Sequence, residues 1–255
     1  MIRIAVLLGL ALLLGACAQN KNPASYETGA EEPTELSRAR IHTELAIAYY
    51  GAGQYNVAME EVQIALAADD KYLPAINQLG LIHLALGQVD EAQAVMRRAI
   101  RIDPNDPSIN NNYGMLLCSK GEAAEAMRYF DKALSDPLYR SPEFAYVNAG
   151  VCMKKEGNYL QAEQFLRRAL ALAPDQPQAL YHLADLQFRN AEYESAEGFI
   201  TRHLQVVVPG PDALWLAARI EYKLGKMVAV ESYGAQLNRR FPQSEQTRAF
   251  NLGQF

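Results

Sequence analysis

The chain has 255 residues, half of them hydrophobic and 21% charged, enough to bury a substantial core in one large domain or two small ones. Twenty-four Lys and Arg stand against 29 Asp and Glu, a formal charge of −5, so no basic field is available to hold a phosphate backbone and no nucleic-acid partner is expected. Sixteen Gly and 12 Pro exclude collagen-like and low-complexity chains, and three cysteines leave an odd thiol to be explained.

In chain order, the first element is an address. Met1-Ile2-Arg3 is a short basic start, and the apolar run Ile4 to Leu14 that follows is too short to cross a bilayer, which takes about 20 residues. It has the length of a signal-peptide core, and it leads through Leu14-Gly15-Ala16 directly into Cys17. This segment resembles the lipobox of bacterial lipoproteins, in which the signal is cut before the cysteine and the cysteine is acylated. The resemblance implies that residues 1–16 are the signal and Cys17 is the lipidation site, whose several acyl chains would anchor where one binds only marginally. Ala18 follows, where the sorting rule of many Gram-negative bacteria puts Asp for inner-membrane retention. The implied location is the outer membrane, lipid-anchored and facing the periplasm, with membrane lipid as the first partner.

Residues 17–38 then read as a lipidated cysteine and flexible tether. QNKNPASYETGAEEPTEL (19–36) lacks apolar periodicity and is rich in Asn, Pro, Glu and Thr. Coil of that length spans roughly 20–25 Å, which stands a folded body just clear of a lipid surface.

The body repeats. Small residues recur at Ala58, Ala92, Ala126, Ala162, Ala196 and Val230, at spacings of 34, 34, 36, 34 and 34. A glycine precedes each by five positions at Gly53, Gly87, Gly121, Gly157 and Gly225, with Ala191 standing in once. Pro107, Pro177 and Pro211 fall where a first helix would start, and there the missing N–H costs nothing. The spacing predicts two antiparallel helices per period, packed closely through the small side chains and turned at the glycine.

This is the tetratricopeptide (TPR) pattern: Leu79-Gly80, Ala92, Met96, Ala99 and Pro104 occupy its consensus positions, as do Tyr113-Gly114, Ala126, Phe130 and Ala133. The predicted fold is all-α, a right-handed solenoid of six helix-turn-helix repeats over 39–244: 39–72, 73–106, 107–140, 143–176, 177–210 and 211–244. Residues 245–255 form a C-terminal tail. The 36-residue step puts two extra residues around Tyr139 to Pro142. The degenerate sixth repeat, with Val230 and Gly234 where Ala and an aromatic are expected, reads as the solvated cap that such arrays need.

No catalytic constellation is visible, and an enzyme is not expected. His42, His83, His182 and His203 are spread along the array without metal-ligand spacing, so neither a metal nor a cofactor is expected. His83 reads as a satisfied, partly buried imidazole. Phosphate-loop, dinucleotide-glycine, His-Glu-x-x-His and Gly-x-Ser-x-Gly motifs are absent. With Cys17 lipidated, Cys118 and Cys152 remain, both late in first helices of consecutive repeats. Neighbouring first helices stack, and the periplasm permits a disulfide, although two separate buried thiols would also suit a core.

The concave face of a solenoid is lined by its first helices. In the front half these present Thr43, Ile47, Tyr50, Asn77, Leu81, Leu84, Asn111 and Met115, an apolar trough carrying amides. That combination suits a peptide, whose backbone the amides can bond. The rear half presents Lys154, Lys155, Tyr181, Asp185, Phe188, Arg189, Trp215, Arg219 and Tyr222, a charged and aromatic surface.

The stretch Asn111-Asn112-Tyr113-Gly114 to Cys118, then Ala126 to Leu134, then Asp136-Pro137-Leu138-Tyr139, continues after the insertion into Ala145-Tyr146-Val147-Asn148-Ala149-Gly150-Val151-Cys152. It resembles the PilF/PilW family, TPR lipoproteins of type IV pilus biogenesis, most specifically in the Pro-Leu-Tyr insertion and its two flanking cysteines. The resemblance implies a pilotin, an adaptor that helps the secretin PilQ reach the outer membrane and multimerise there. It also implies a partner surface on the early repeats. The alternative is a TPR lipoprotein serving pilus stability, β-barrel assembly or the recruitment of cell-wall hydrolases.

Overall fold

The computed structural model describes residues 34–255. The signal 1–16, Cys17 and most of the tether lie outside the described residues. Thirteen α-helices follow among the described residues, with no strand. They are α1 (Glu35–Gly51), α2 (Tyr55–Ala68), α3 (Leu73–Ala85), α4 (Val89–Ile102), α5 (Pro107–Ser119), α6 (Ala123–Leu134) and α7 (Pro142–Lys155). The remainder are α8 (Tyr159–Leu172), α9 (Pro177–Arg189), α10 (Tyr193–Val206), α11 (Pro211–Lys223), α12 (Met227–Arg240) and α13 (Glu245–Asn251).

The helix boundaries follow from local chemistry. α5, α7, α9 and α11 each begin at a proline. The Ile109 N–H donates to the Asp106 side chain at 2.8 Å, closing the first turn of α5. First helices end at the turn glycines, whose φ of 73–82° at Gly53, Gly87, Gly121, Gly157 and Gly225 is the left-handed conformation glycine adopts at no steric cost. Ala191 takes the same conformation, at φ 62°, with a Cβ in place.

α1 begins at Glu35, inside the segment expected to be tether, because the Thr34 hydroxyl accepts the Ser37 N–H at 3.2 Å and caps it.

Each odd-numbered helix packs against the even-numbered one that follows, and the odd-numbered helices also pack against one another along the array, α1 on α3 through α11 on α13. Odd helices therefore form the inner wall and even helices the outer. Ala58, Ala92, Ala126, Ala162 and Ala196 are all fully buried between them.

A second size match fixes the spacing within each pair. A Cβ added to Gly80, Gly114 or Gly150 would stand 2.7–2.8 Å from Met96, Phe130 or Leu166 respectively, so glycine on the inner helix makes room for a large residue on the outer. Those large residues have no exposed surface, and each contributes about 1.5–3 kcal/mol of burial.

The C-terminal end differs from expectation. Residues 245–251 form α13, packed on α11 and α12, so the sixth repeat is not the outermost layer. Gly234 stands in a position filled elsewhere by Met96, Phe130 and Leu166, and Phe250 of α13 occupies the space it leaves. A Cβ at Gly234 would clash with that ring. Phe255 extends the packing by stacking on Tyr222, 4.3 Å between centroids and 11° between planes.

Candidate functional site: the concave trough of the front repeats

The inner faces of α3, α5 and α7, with the end of α1, enclose a trough of about 500 Å³. Five of the eight residues expected on the front concave face line it: Tyr50, Asn77, Leu81, Asn111 and Met115. The other three do not. Thr43 is 2% exposed and donates its hydroxyl to the Ala39 carbonyl at 2.7 Å, so it belongs to the helix stack. Leu84, partly buried against the same core cluster as Leu81, is not part of the trough's lining. Ile47 is half exposed on α1 but stands outside the trough.

The polar part of the trough is a relay of four carboxamides. Asn148 donates Nδ2–H to Asn111 Oδ1 at 3.0 Å, and Asn111 donates to Asn112 Oδ1 at 3.1 Å. Asn112 in turn donates to Asn77 Oδ1 at 2.9 Å. Each amide has two donors and an acceptor with two lone pairs, so the relay uses only part of its capacity. Asn111, 5% exposed, is anchored within it, while Asn77, Asn112 and Asn148 remain half-buried with bonding capacity facing the trough. Apolar walls with a few fixed polar groups are the usual make-up of a small recognition site.

The connection after α6 closes one rim. It runs from Ser135 to Ser141, and α6 spans 12 residues where α4 and α8 span 14. Tyr139, Ser141 and Phe144 reach the trough from it. Burial pushes the Tyr139 phenol up to about 12, with the Glu143 and Asp106 carboxylates adding to the shift, so the hydroxyl stays neutral. Sequence reasoning marked the insertion but not its part in the trough, and it also missed Asn112 and Asn148.

Cys118 and Cys152 are joined by a disulfide, with Cα atoms 5.7 Å apart, tying α5 to α7 beside the trough. Lys155 braces the same junction by donating Nζ–H to the Cys118 and Ser119 carbonyls at 3.1 and 3.0 Å.

Among the described residues no two histidines share a hydrogen-bond partner. His42 Nδ1 lies 2.6 Å from a Glu61 carboxylate oxygen, His83 Nδ1 2.7 Å from Gln88 Oε1, and His203 Nδ1 2.9 Å from the Pro177 carbonyl. Burial, with Lys154 adding to it, lowers the His182 imidazole to about 4. Among the described residues no three His, Cys, Asp or Glu side chains converge as a metal site would require. Among the same residues no helix is long and apolar enough to cross a membrane.

The rear inner face is a separate surface. Lys154 pairs with Asp185 at 2.5 Å, and Tyr181, with its phenol raised to about 12 chiefly by burial, packs against His182 and His203. Trp215 and Tyr222 form an aromatic group with Phe250 and Phe255.

Helix pairing, turn glycines and the small-large match define a TPR protein. Tetratricopeptide-repeat family models match residues 77–141 and 154–207. The crystal structure of PilW, a widely conserved type IV pilus biogenesis factor, superposes with a TM-score of 0.71 at 36% sequence identity, over 83% of this chain and 97% of that one. Type IV pilus assembly protein PilF of Pseudomonas aeruginosa is 24% identical over 194 residues, 75% of each protein. The P. aeruginosa PilF structure shares the fold with a TM-score of 0.72 over 86% of this chain and 99% of that one, at 23% identity. The chain belongs to the PilF/PilW family of type IV pilus biogenesis TPR proteins.

Proposed function

We propose that this chain is a non-enzymatic, lipid-anchored adaptor of type IV pilus biogenesis. Acylated at Cys17 and held on the periplasmic face of the outer membrane, it captures a peptide segment of the secretin PilQ in the front trough and so aids the secretin's localisation and multimerisation. The observation that carries this reading is the trough: an apolar channel across three inner helices, floored by amides with bonding capacity to spare. Family membership supports the pilus setting, and the lipobox-like Leu14-Gly15-Ala16-Cys17 supports the anchor. A preformed solenoid surface loses little entropy on binding, which favours capture of an extended chain.

The test deletes the gene, fractionates the envelope, and follows the secretin multimer in the outer membrane. Loss of the multimer, restored by the wild-type gene but not by Leu81→Glu or Tyr50→Ala, is expected, with thermal melts confirming that both variants fold. A normal multimer with defective pili would move the function to fibre stability. Normal multimer and normal pili would move it to another envelope process. Cys17→Ala should leave a folded protein that no longer fractionates with the outer membrane; unchanged fractionation would end the lipid-anchor reading.

A further inference from the structure

The rear repeats hold a second recess, of about 430 Å³, between the C-terminal ends of α9 and α11 and the starts of α8 and α10. Its composition is the reverse of the front trough. Arg189, Arg219 and Lys223 line it, with Asp185 as its lone acidic side chain. That carboxylate is already held by Lys154 at 2.5 Å. Among the described residues none of the three cations forms an ion pair.

The cations are nevertheless held in place. The Arg219 guanidinium lies 4.4 Å from the Phe188 ring centroid and 5.9 Å from that of Trp215. Arg189 lies over Tyr159 at 4.6 Å while donating to its hydroxyl at 2.6 Å. A guanidinium with five N–H donors, held beside an aromatic ring, keeps donors free for a carboxylate, and its rotamer entropy is already spent.

From this charge complementarity we infer that the rear recess is a second docking site, which takes an acidic segment of a protein partner carrying an aromatic side chain. Carboxylates pair with Arg189, Arg219 and Lys223, and the aromatic side chain packs among Phe188, Tyr193 and the Phe255 ring that already borders the recess. The site lies on repeats four to six and the C-terminal tail, away from the front trough, so one adaptor can hold two segments at once.

The test is fluorescence anisotropy on the full-length protein with a labelled nonapeptide, four acidic residues on each side of one phenylalanine, alongside its Asn/Gln counterpart. The acidic peptide should bind at least about tenfold more tightly than the neutral one, and its binding should weaken as salt is raised. Arg189→Gln, at an exposed position whose loss leaves the helix intact, and Arg219→Gln should each weaken it about fivefold or more. Arg219→Lys, which keeps the charge without the fork, should fall between wild type and Arg219→Gln. Leu81→Glu should leave it unchanged, which separates this site from the front trough. Equal binding of the two peptides, insensitivity to the double Arg189→Gln/Arg219→Gln change, or arginine-dependent binding to phosphatidylglycerol vesicles with none to the peptide would overturn the inference.

Discussion

The disulfide between Cys118 and Cys152 offers a test in which no side chain need be replaced. It closes a loop of 34 residues that contains all of α6 and most of α7. If the bond acts by restricting the unfolded chain, a loop of that length is worth about 3.8 kcal/mol at 25 °C. The folded state should change little on reduction, because α5 and α7 pack along their length and Lys155 holds the same junction. Urea denaturation of oxidised and reduced wild-type protein, followed by far-UV circular dichroism, measures the difference directly. Reduction should cost about 3–4 kcal/mol while the native spectrum stays the same. Cys152 has no exposed surface and Cys118 is 8% exposed, so reduction in the native state should be slow and should proceed through Cys118. A loss below about 1 kcal/mol, or a native spectrum altered by reduction, would refute the chain-entropy account.

Ala191 is the one non-glycine residue with positive φ among the described residues. Ala191→Gly should raise stability by about 0.5–1 kcal/mol, read as a higher melting temperature, whereas the same change in a helix interior would lower it. His182 gives a pH dependence with a defined sign. Its folded value of about 4 lies below the ordinary 6.5, so between those values the unfolded chain binds a proton that the folded chain does not. Stability should therefore fall as pH drops from about 6.5 towards 4, by up to about 3 kcal/mol from this group. The pH profile of His182→Gln should lack that component, and superimposable profiles would refute it.

The repeat was legible because its signals are steric and periodic. Turn glycines, starting prolines and the small alanines each answer one geometric demand every 34 residues. Thr43 is covered rather than presented to the trough, because a repeat position says which helix face a residue occupies, not how the neighbouring layer covers it. Thr43 sits on a first helix of 17 residues, longer than the 13 of α3, and turns its hydroxyl back to Ala39. The amide relay was only half visible. Its links span 35 and 37 residues, set by the lateral register of three helices and by the insertion between α6 and α7. Phe250 could not be anticipated from α13, which carries no repeat signature. The missing bulk at Gly234 was its trace in the sequence, read instead as degeneracy.

The three hydrogen bonds that join the four amides of the trough all run in one sense, from Asn148 on α7 to Asn77 on α3. Turning any one amide over would set oxygen against oxygen or nitrogen against nitrogen at each relay contact it makes, one for Asn148 and Asn77 and two for Asn111 and Asn112, so the row holds or reverses as a unit. Its two ends are therefore unlike: spare N–H at the α3 end, spare carbonyl at the α7 end. The trough thus has a head and a tail along the solenoid axis, and a chain laid in it meets a different chemistry according to which end enters first.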